Sequence, residues 1–332
     1  MGVVPTINLD RFLRGSPADK NAVAAETNQI CSEIGFLSVV GHGVPDAKTQ
    51  DIYDRSKRFF RGPTDAKIAV VQPKSDIIRG YIGMGKSALG TTIGYDTPPD
   101  LKETFSVGPE AVDSNPYFSS PNSRSHFAAN LWPVGDPDFK AAWLAYWYEM
   151  TNLSENLMQL FACALGLNAD HFGKHIDHHI SVLSAMYYPD QPKPPKPGQL
   201  RAGAHTDFGT MTILKPDSAP GGLQVMTKDG TFEPVRATPD AFVVNIGDMM
   251  ARWTNDRWVS TMHRVVNPPL DQKLGAERLS LGFFHQPNYD AVVKCLPSCI
   301  EFGQSAKYPP VAAGDHLYAQ FSSQVRNADS DS

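Results

Sequence analysis

Cysteine is scarce: four residues, Cys31, Cys163, Cys295 and Cys299, in a chain of 332. They are too few and too scattered for a disulfide framework, which excludes the small cross-linked secreted scaffolds. Cys295 and Cys299 could form half of a zinc site, but no matching pair completes it. Long apolar runs are missing as well, and no stretch approaches the length of a membrane-spanning helix. A basic tract is the third absence. With 30 Lys and Arg against 35 Asp and Glu the formal net charge is −5, which leaves no footprint for nucleic acid or anionic lipid. The opening MGVVPT lacks the basic-then-apolar layout of a signal peptide. Its Gly2 formally fits a myristoylation pattern, yet VVPTINL is better read as a first short strand. These absences point to a cytoplasmic protein with reduced thiols, no membrane and no nucleic-acid partner. What is present is a hydrophobic fraction of 41% against 20% charged residues, enough for a sizeable buried core.

The apolar pattern changes period along the chain. Helical spacing of Val23, Ile30 and Ile34 predicts a helix from Ala18 to a stop at Gly35. FLSVVGHGVP then reads as a strand closed by a turn, and a second helix is expected from Asp46 to Phe60. Residues 62–125 are rich in Gly, Pro, Thr and Ser and read as loops with brief strands around ETFSVG. A long apolar helix is expected from Phe139 to Leu167. After it come short β-patterned runs between turns: SVLSAMYY, TMTILKP, GLQVMT, AFVVNIG, WVSTMHRVV and RLSLGFFH. That spacing suggests a sandwich, jelly roll or barrel. The Pro-rich PDQPKPPKPGQ lies between two such runs, so it reads as a stiff surface loop rather than a linker. The tail VRNADSDS is polar and loose. The expected organisation is α+β, one compact unit over 1–332. Within it are an N-terminal segment 1–125, a bracing helix 139–167, a β core 180–290 and a C-terminal extension 291–332.

Three motifs offer chemistry that their surroundings do not support. GYIGMGKS matches the Walker A pattern at Gly80, Gly85, Lys86 and Ser87, but that motif needs a helix behind it to present amides to phosphate. The following ALGTTIGYDTPPD cannot sustain one. HFGKHIDHH brings His171, His175, His178 and His179 together without the carboxylate base of a zinc protease, and reads as a polar helix end or connector. Cys31 and Cys163 fall on apolar helix faces, where cysteine behaves as a small hydrophobe.

GAHTDFGTMT is different. On a strand, side chains two apart share a face, so His205 and Asp207 are expected to project together and share one ion. A third ligand should come from a neighbouring strand. Of the downstream histidines His263, His285 and His316, His263 stands out because WVSTMHRVV is β-patterned within the same core. Two imidazoles and one carboxylate with open positions opposite form the facial triad of non-haem Fe(II) oxygenases. Further on, Arg278 and Ser280 repeat the same-face spacing with a cation and a hydroxyl. Arg grips a carboxylate in a bidentate fork and Ser adds a hydrogen bond, with Tyr188 in AMYYP as a further donor. The competing reading of Arg278 is an internal ion pair with an Asp or Glu.

HTD at 205–207, His263 in STMHRVV and RLS at 278–280 resemble the isopenicillin N synthase-like branch of the Fe(II)/2-oxoglutarate-dependent oxygenases. The resemblance extends to GFLSVVGHGVP, RGY at 79–81, LKETFSVG at 101–108, NLWP at 130–133, MYYP, GGLQV, NIGDMMARWTND and FFHQPN. HxD alone is weak, whereas the ordered set with these flanks is specific. It implies a distorted double-stranded β-helix, a cupin-like jelly roll braced by helices. It also implies His205, Asp207 and His263 as iron ligands, and Arg278, Ser280 and Tyr188 on the distal carboxylate of 2-oxoglutarate.

Phe284, Gln286 and Ser184 match positions that often face substrate in this family, and Arg79, Tyr81 and Phe105 are candidates from the N-terminal segments. Phe208 reads as packing, and Asn245, Gly247 and Asp248 as a turn supporting the core. Met186 departs from the Asn that many plant members carry two places before the Tyr188 position, which removes one polar cosubstrate contact. The stretch between His263 and Arg278 is also longer than in many plant members. The implied reaction is O2-dependent hydroxylation, desaturation or cyclisation of a small organic molecule, as in secondary metabolism, with release of succinate and CO2. Ascorbate is an expected stimulant, and the monomer an expected state. Two other readings stay open here: a 2-oxoglutarate-independent iron oxidase like isopenicillin N synthase or the aminocyclopropane oxidases, and a non-catalytic jelly-roll binding protein. The catalytic segments are most similar to microbial, thymine-hydroxylase-like members, without indicating thymine itself.

Overall fold

The computed structural model describes residues 4–74, 76–90, 97–111, 115–123, 125–236, 238, 240–272 and 274–320. The Gly2 pattern, residues 91–96 behind the glycine-rich motif and the polar tail lie outside that range.

The N-terminal part contributes β1 (Thr6–Asn8), α1 (Leu9–Arg14), α2 (Pro17–Glu33), β2 (Phe36–Val40), α3 (Asp46–Arg61), α4 (Thr64–Ile68), β3 (Gly80–Ile82), β4 (Glu103–Val107) and α5 (Pro116–Ser119). Its starts and stops follow local chemistry. The Ser16 hydroxyl accepts from the Asp19 amide while the Asp19 carboxylate accepts from the Ser16 amide, with Pro17 in the first turn. This reciprocal cap satisfies amides that a helix start otherwise leaves unpaired. At the other end Gly35 takes φ +66°, and a Cβ there would lie 2.0 Å from the Val259 carbonyl oxygen. Only glycine permits both the left-handed backbone and that approach.

The long helix expected from Phe139 runs as α6 (Phe139–Ala164), followed by the single turn α7 (Gly173–Ile176). The remaining elements are β5 (Val182–Tyr188), β6 (Ala202–His205), β7 (Met211–Lys215), β8 (Gly222–Met226), β9 (Phe232–Pro234), β10 (Phe242–Ile246), α8 (Asp248–Trp253), β11 (His263–Val266), β12 (Arg278–His285), β13 (Val292–Val293) and β14 (Val311–Ala312). WVSTMHRVV is strand only from His263, so its first half is a connection.

Two sheets face each other. The larger has eight strands in the order β1-β2-β10-β7-β12-β5-β4-β3, and the smaller four in the order β6-β11-β8-β9. Helices α2 and α3 pack on α6, and α6 lies on the outer face of the large sheet. There the Phe105 ring meets Phe139 and Trp143 at 5.3 and 5.0 Å, and Phe283 meets Trp147 at 5.2 Å. All three are edge-on contacts of the kind aromatic rings favour. The inner face is turned to the small sheet, where Phe36 and Val243 pack with Leu223 and Val225. Strand alternation therefore sends successive residues to two different interiors, one apolar beneath helices and one part apolar, part polar between sheets. This is the jelly-roll arrangement of a mixed α+β chain.

The motifs without supporting surroundings resolve simply. Gly80–Ile82 is itself the edge strand β3 and residues 83–88 turn and bend, so among the described residues the motif is not the loop between a strand and an α-helix. Of the histidine cluster, His179 is half-buried and lies 5.9 Å from the Trp147 ring in a stacked contact. Its burial pushes the imidazole pKa down to about 4. Cys31 is fully buried, and desolvation drives its thiol pKa upward, leaving no thiolate to act as nucleophile.

Candidate active site

Among the described residues, His205, Asp207 and His263 form the metal-capable cluster: one ligand atom from each lies within 4.8 Å of the others, and all three residues are buried. His205 closes β6 and His263 opens β11, and the two are opposite each other in the antiparallel register. Each imidazole is turned by a backbone carbonyl. His205 Nδ1 is 2.7 Å from the Gly203 oxygen and His263 Nδ1 is 3.1 Å from the Thr261 oxygen. With Nδ1 donating, the lone pair of each Nε2 faces the common centre. Phe36 holds the His263 ring edge-on at 5.4 Å.

Asp207 is not on the same strand as His205, contrary to the simple alternation argument. Strand β6 ends at His205, and Asp207 leads the turn into β7. Its position is enforced from the large sheet instead. Oδ2 accepts from Thr212 Oγ1 at 2.5 Å and from Asn245 Nδ2 at 2.7 Å. Thr212 and Asn245 are register partners on β7 and β10. The turn is fixed by the Asp248 amide donating to the Asp207 carbonyl at 2.8 Å. Gly247 is required because a Cβ there would lie 2.4 Å from the Gly209 oxygen. Oδ1 is left 3.7 and 3.8 Å from the two Nε2 atoms. Burial disfavours the carboxylate, but the two imidazoles and these hydrogen bonds outweigh it and hold Asp207 below the usual carboxylate range. Burial, helped by the neighbouring His263, pushes His205 down to about 4, so it is neutral at pH 7. Two imidazole nitrogens and one carboxylate oxygen suit a divalent iron.

Along the inner face of the large sheet, Arg278 is opposite Tyr188 and Ser280 opposite Met186. All but Met186 are buried. The hydrogen bond from the Arg278 guanidinium is a single one, from Nη1 to the Ala219 oxygen at 3.1 Å. Among the described residues no carboxylate pairs with it, so the internal ion-pair reading of Arg278 fails and most of its donors face the interior. The start of β12 is tied down: the Leu279 amide donates to Asp217 Oδ2, which also accepts from Tyr53 of α3 at 2.6 Å. Met186 Cε lies where a Cβ on Gly282 would come within 2.9 Å, so Gly282 is the space that admits the methionine.

The other candidates divide. Ser184 and Phe284 lie on the inner face, Ser184 bonded to Ser106 across 2.8 Å. Gln286 is buried against Gly209 and its Oε1 has no partner among the described residues. Tyr81 and Phe105 do not reach the site. They occupy the outer face, Phe105 beneath α6 and Tyr81 donating to Glu103 at 2.5 Å, because β3 and β4 alternate in the phase that turns these rings toward the helices. Arg79 is also a framework residue, donating to the carbonyls of Ala128, Ile78, Pro109 and His126. Phe208 packs with the Phe127, Ile180, Tyr289 and Leu317 cluster.

Sequence reasoning missed Thr212, Arg201 and Lys102, and read Asn245 only as part of a supporting turn. Thr212 and Asn245 were legible as inward-facing members of adjacent strands only once the register was known. Arg201 is fully buried, donates to the Pro220 and Ala276 carbonyls and lies 5.8 Å from the Tyr188 ring. Lys102 is buried on the same face and pairs with Asp100 at 3.0 Å. Nothing in DLKETF marks the lysine as inward-facing without the alternation of β4.

A jelly roll whose facing sheets converge two histidines and an aspartate, with an uncommitted arginine nearby, defines a non-haem iron oxygenase. The comparisons agree. Residues 4–135 match the profile of the non-haem dioxygenase in morphine synthesis N-terminal family, and residues 179–287 that of the 2OG-Fe(II) oxygenase superfamily. The chain is 32% identical over 330 residues to the 2-oxoglutarate-Fe(II) type oxidoreductase hxnY of Emericella nidulans, covering 98% of this chain and 91% of that one. It is 31% identical to the validamycin A dioxygenase of Streptomyces hygroscopicus subsp. limoneus over 95% of this chain and 85% of that one. A full-length Neurospora crassa protein, crystallised in complex with alpha-KG, superposes with a TM-score of 0.83 at 27% identity, covering 96% of this chain and 95% of that one.

The chain belongs to the Fe(II)/2-oxoglutarate oxygenase superfamily, in its isopenicillin N synthase-like branch. It is a 2-oxoglutarate-dependent dioxygenase that uses Fe(II) and acts on a small organic molecule. The non-catalytic and 2-oxoglutarate-independent readings are set aside. No helix among the described residues is long and apolar enough to cross a membrane.

Proposed function

We propose that His205 Nε2, Asp207 Oδ1 and His263 Nε2 hold the iron, and that Arg278, Ser280 and Tyr188 grip the distal carboxylate of 2-oxoglutarate. The observation that carries this reading is the convergence of the three ligand atoms within 4.8 Å, each aimed by a bond on its far side. When bound, Fe(II) with 2-oxoglutarate and O2 supplies the oxidising chemistry: the oxo acid is decarboxylated to succinate and CO2 as the substrate is hydroxylated, desaturated or cyclised. The protein's part is orientation and exclusion of water. Arg278 fixes one end of the oxo acid by a charge-assisted fork, and Ser280 and Tyr188 add hydroxyl contacts. Tyr188 keeps its proton, since burial raises its pKa. Thr212 and Asn245 hold one Asp207 oxygen so that the other faces the metal.

Phe284, Gln286 and Ser184 line the substrate side in this reading, with the unpartnered Gln286 Oε1 ready to accept from a substrate N–H or O–H. We further read the protein as a cytoplasmic monomer without a nucleic-acid partner, its activity supported by ascorbate. The balanced, slightly acidic charge and absence of a basic tract support that reading.

The test is anaerobic titration of the Fe(II)-loaded protein with 2-oxoglutarate, following the weak visible charge-transfer band of the chelate. The band is expected in wild type, absent in His205→Ala and shifted to higher 2-oxoglutarate concentration in Arg278→Ala. A wild type that binds iron but develops no band would sink the clamp assignment, and one that binds no iron would sink the triad.

A further inference from the structure

The strand register sets three polar side chains in one row across the inner face. Arg278 on β12 is opposite Tyr188 on β5, and Glu103 on β4 is opposite Tyr187, so Lys102 lies one step further, beside Tyr188. Alternation along β4 is confirmed by its partners. Glu103 faces the helices, bonding Lys67 at 2.8 Å, while Ser106 faces inward to Ser184. Lys102 therefore projects between the sheets.

Asp100 anchors it there. Asp100 Oδ1 accepts the Gly203 amide at 2.9 Å and Oδ2 accepts the Leu89 amide at 3.3 Å. Gly203 is on β6, two residues before the proposed ligand His205, and its carbonyl accepts a hydrogen bond from His205 Nδ1–H. The Asp100 carboxylate thus closes the free edge of β6, and the Lys102 ammonium, 7% exposed and 3.0 Å from Oδ2, is held beside the strand that carries the metal ligand. Its charge is near enough to bear on both Tyr188 and His205.

An ammonium has three donors, and among the described residues Asp100 is the one partner of Lys102. Of the two buried arginines in this region, Arg278 is the clamp already described, and Arg201 donates to two backbone carbonyls. A buried ammonium with donors to spare is unfavourable unless an acceptor joins it. Asp100, already accepting backbone amides, is less able to serve as that acceptor than as an anchor.

We propose that Lys102 is a second carboxylate-binding group of the active site, separate from the Arg278 clamp and positioned by Asp100. The carboxylate has two possible sources, the metal-proximal C1 carboxylate of 2-oxoglutarate or a carboxylate on the substrate. The proposal rests on the iron and 2-oxoglutarate reading of this site.

The experiment measures three things on wild type, Lys102→Met and Lys102→Arg: Fe(II) affinity alone, anaerobic 2-oxoglutarate affinity by the charge-transfer band, and the thermal shift produced by benzoate or hexanoate on the Fe(II)/2-oxoglutarate complex. If the source is 2-oxoglutarate, Lys102→Met weakens its binding by about tenfold or more, roughly the worth of one charge-assisted hydrogen bond, with pyruvate, which keeps only the C1 carboxylate, weakened in parallel. If the source is the substrate, 2-oxoglutarate affinity stays within about twofold of wild type, and the monocarboxylate shift seen in wild type disappears in Lys102→Met. Lys102→Arg keeps much of either effect, and it carries the comparison with wild type should the methionine variant not fold, a changed carboxylate geometry then replacing outright loss. Equal 2-oxoglutarate affinity together with equal, or equally absent, monocarboxylate shifts in wild type and variants overturns the proposal. Wild type without iron or 2-oxoglutarate binding would instead overturn the underlying reading.

Discussion

Asn245 shows how much of the proposed metal site is decided by residues outside the ligand set. Its amide donates to the Asp207 oxygen that faces away from the imidazoles, and Thr212 donates to the same atom. Removing one of these leaves the carboxylate free to rotate and to offer the wrong oxygen. Asn245→Ala is expected to weaken Fe(II) binding by roughly 10–100-fold, the usual scale for a partner of a metal ligand. Competition against a chelator measures this, and unchanged affinity with an unchanged melting temperature would show that Thr212 alone suffices. The same residue illustrates what was hidden. VVNIGD reads from sequence as a supporting turn, and Asn245 does precede that turn. Its side-chain role depends on β10 lying beside β7, a pairing that separates the partners by more than thirty positions in the chain.

Elements carry the next level of control. Helix α3 is fastened to β12 through Glu277, which accepts from Tyr187 at 2.8 Å and pairs with Lys57 at 2.8 Å and with Arg61. Burial acts against this carboxylate, but Arg61, Lys57 and Tyr187 outweigh it and bring the pKa from 4.5 to about 2. A group whose folded pKa is depressed stabilises the fold above its unfolded pKa and loses that contribution as pH falls toward the folded value. Glu277→Gln is therefore expected to be less stable than wild type at pH 7, with the gap narrowing below about pH 4.5 and closing toward pH 2. Urea midpoints at a series of pH values test this, and a gap of constant size would exclude the ionic origin. The expected helices 18–35, 46–60 and 139–167 correspond to α2, α3 and α6 because their apolar spacing and caps are local signals. Phe105 and Tyr81 went the other way. A five-residue strand has two faces, and ETFSV does not say which will meet helices.

At the scale of the whole molecule, the proposed site for the iron and the oxo acid lies between two sheets whose strands come from distant parts of the chain, so on that proposal loading stabilises the fold as a unit. Ligand at a hundredfold excess over its Kd adds about 2.7 kcal/mol if it binds only the folded state. Fe(II) with 2-oxoglutarate is accordingly expected to raise Tm, and a chelator to return it to the metal-free value. A Tm indifferent to both would mean that the site is not coupled to folding.

By itself the sequence determined the chemical inventory. Two histidines, an aspartate, an arginine and a serine in that order, set among β-patterned runs behind a long apolar helix, are readable because residue type and short-range period are properties of the chain alone. Tertiary structure decided how they act together. Asp207 lies past the end of its strand and is brought beside His205 and His263 by hydrogen bonds from β7 and β10; Lys102 pairs with Asp100 while Glu103 faces the helices; Arg278 is left without a carboxylate partner among the described residues. Each of these depends on strand register and on which sheet face the helices cover. Those are set by contacts between residues far apart in sequence, where local periodicity carries no information.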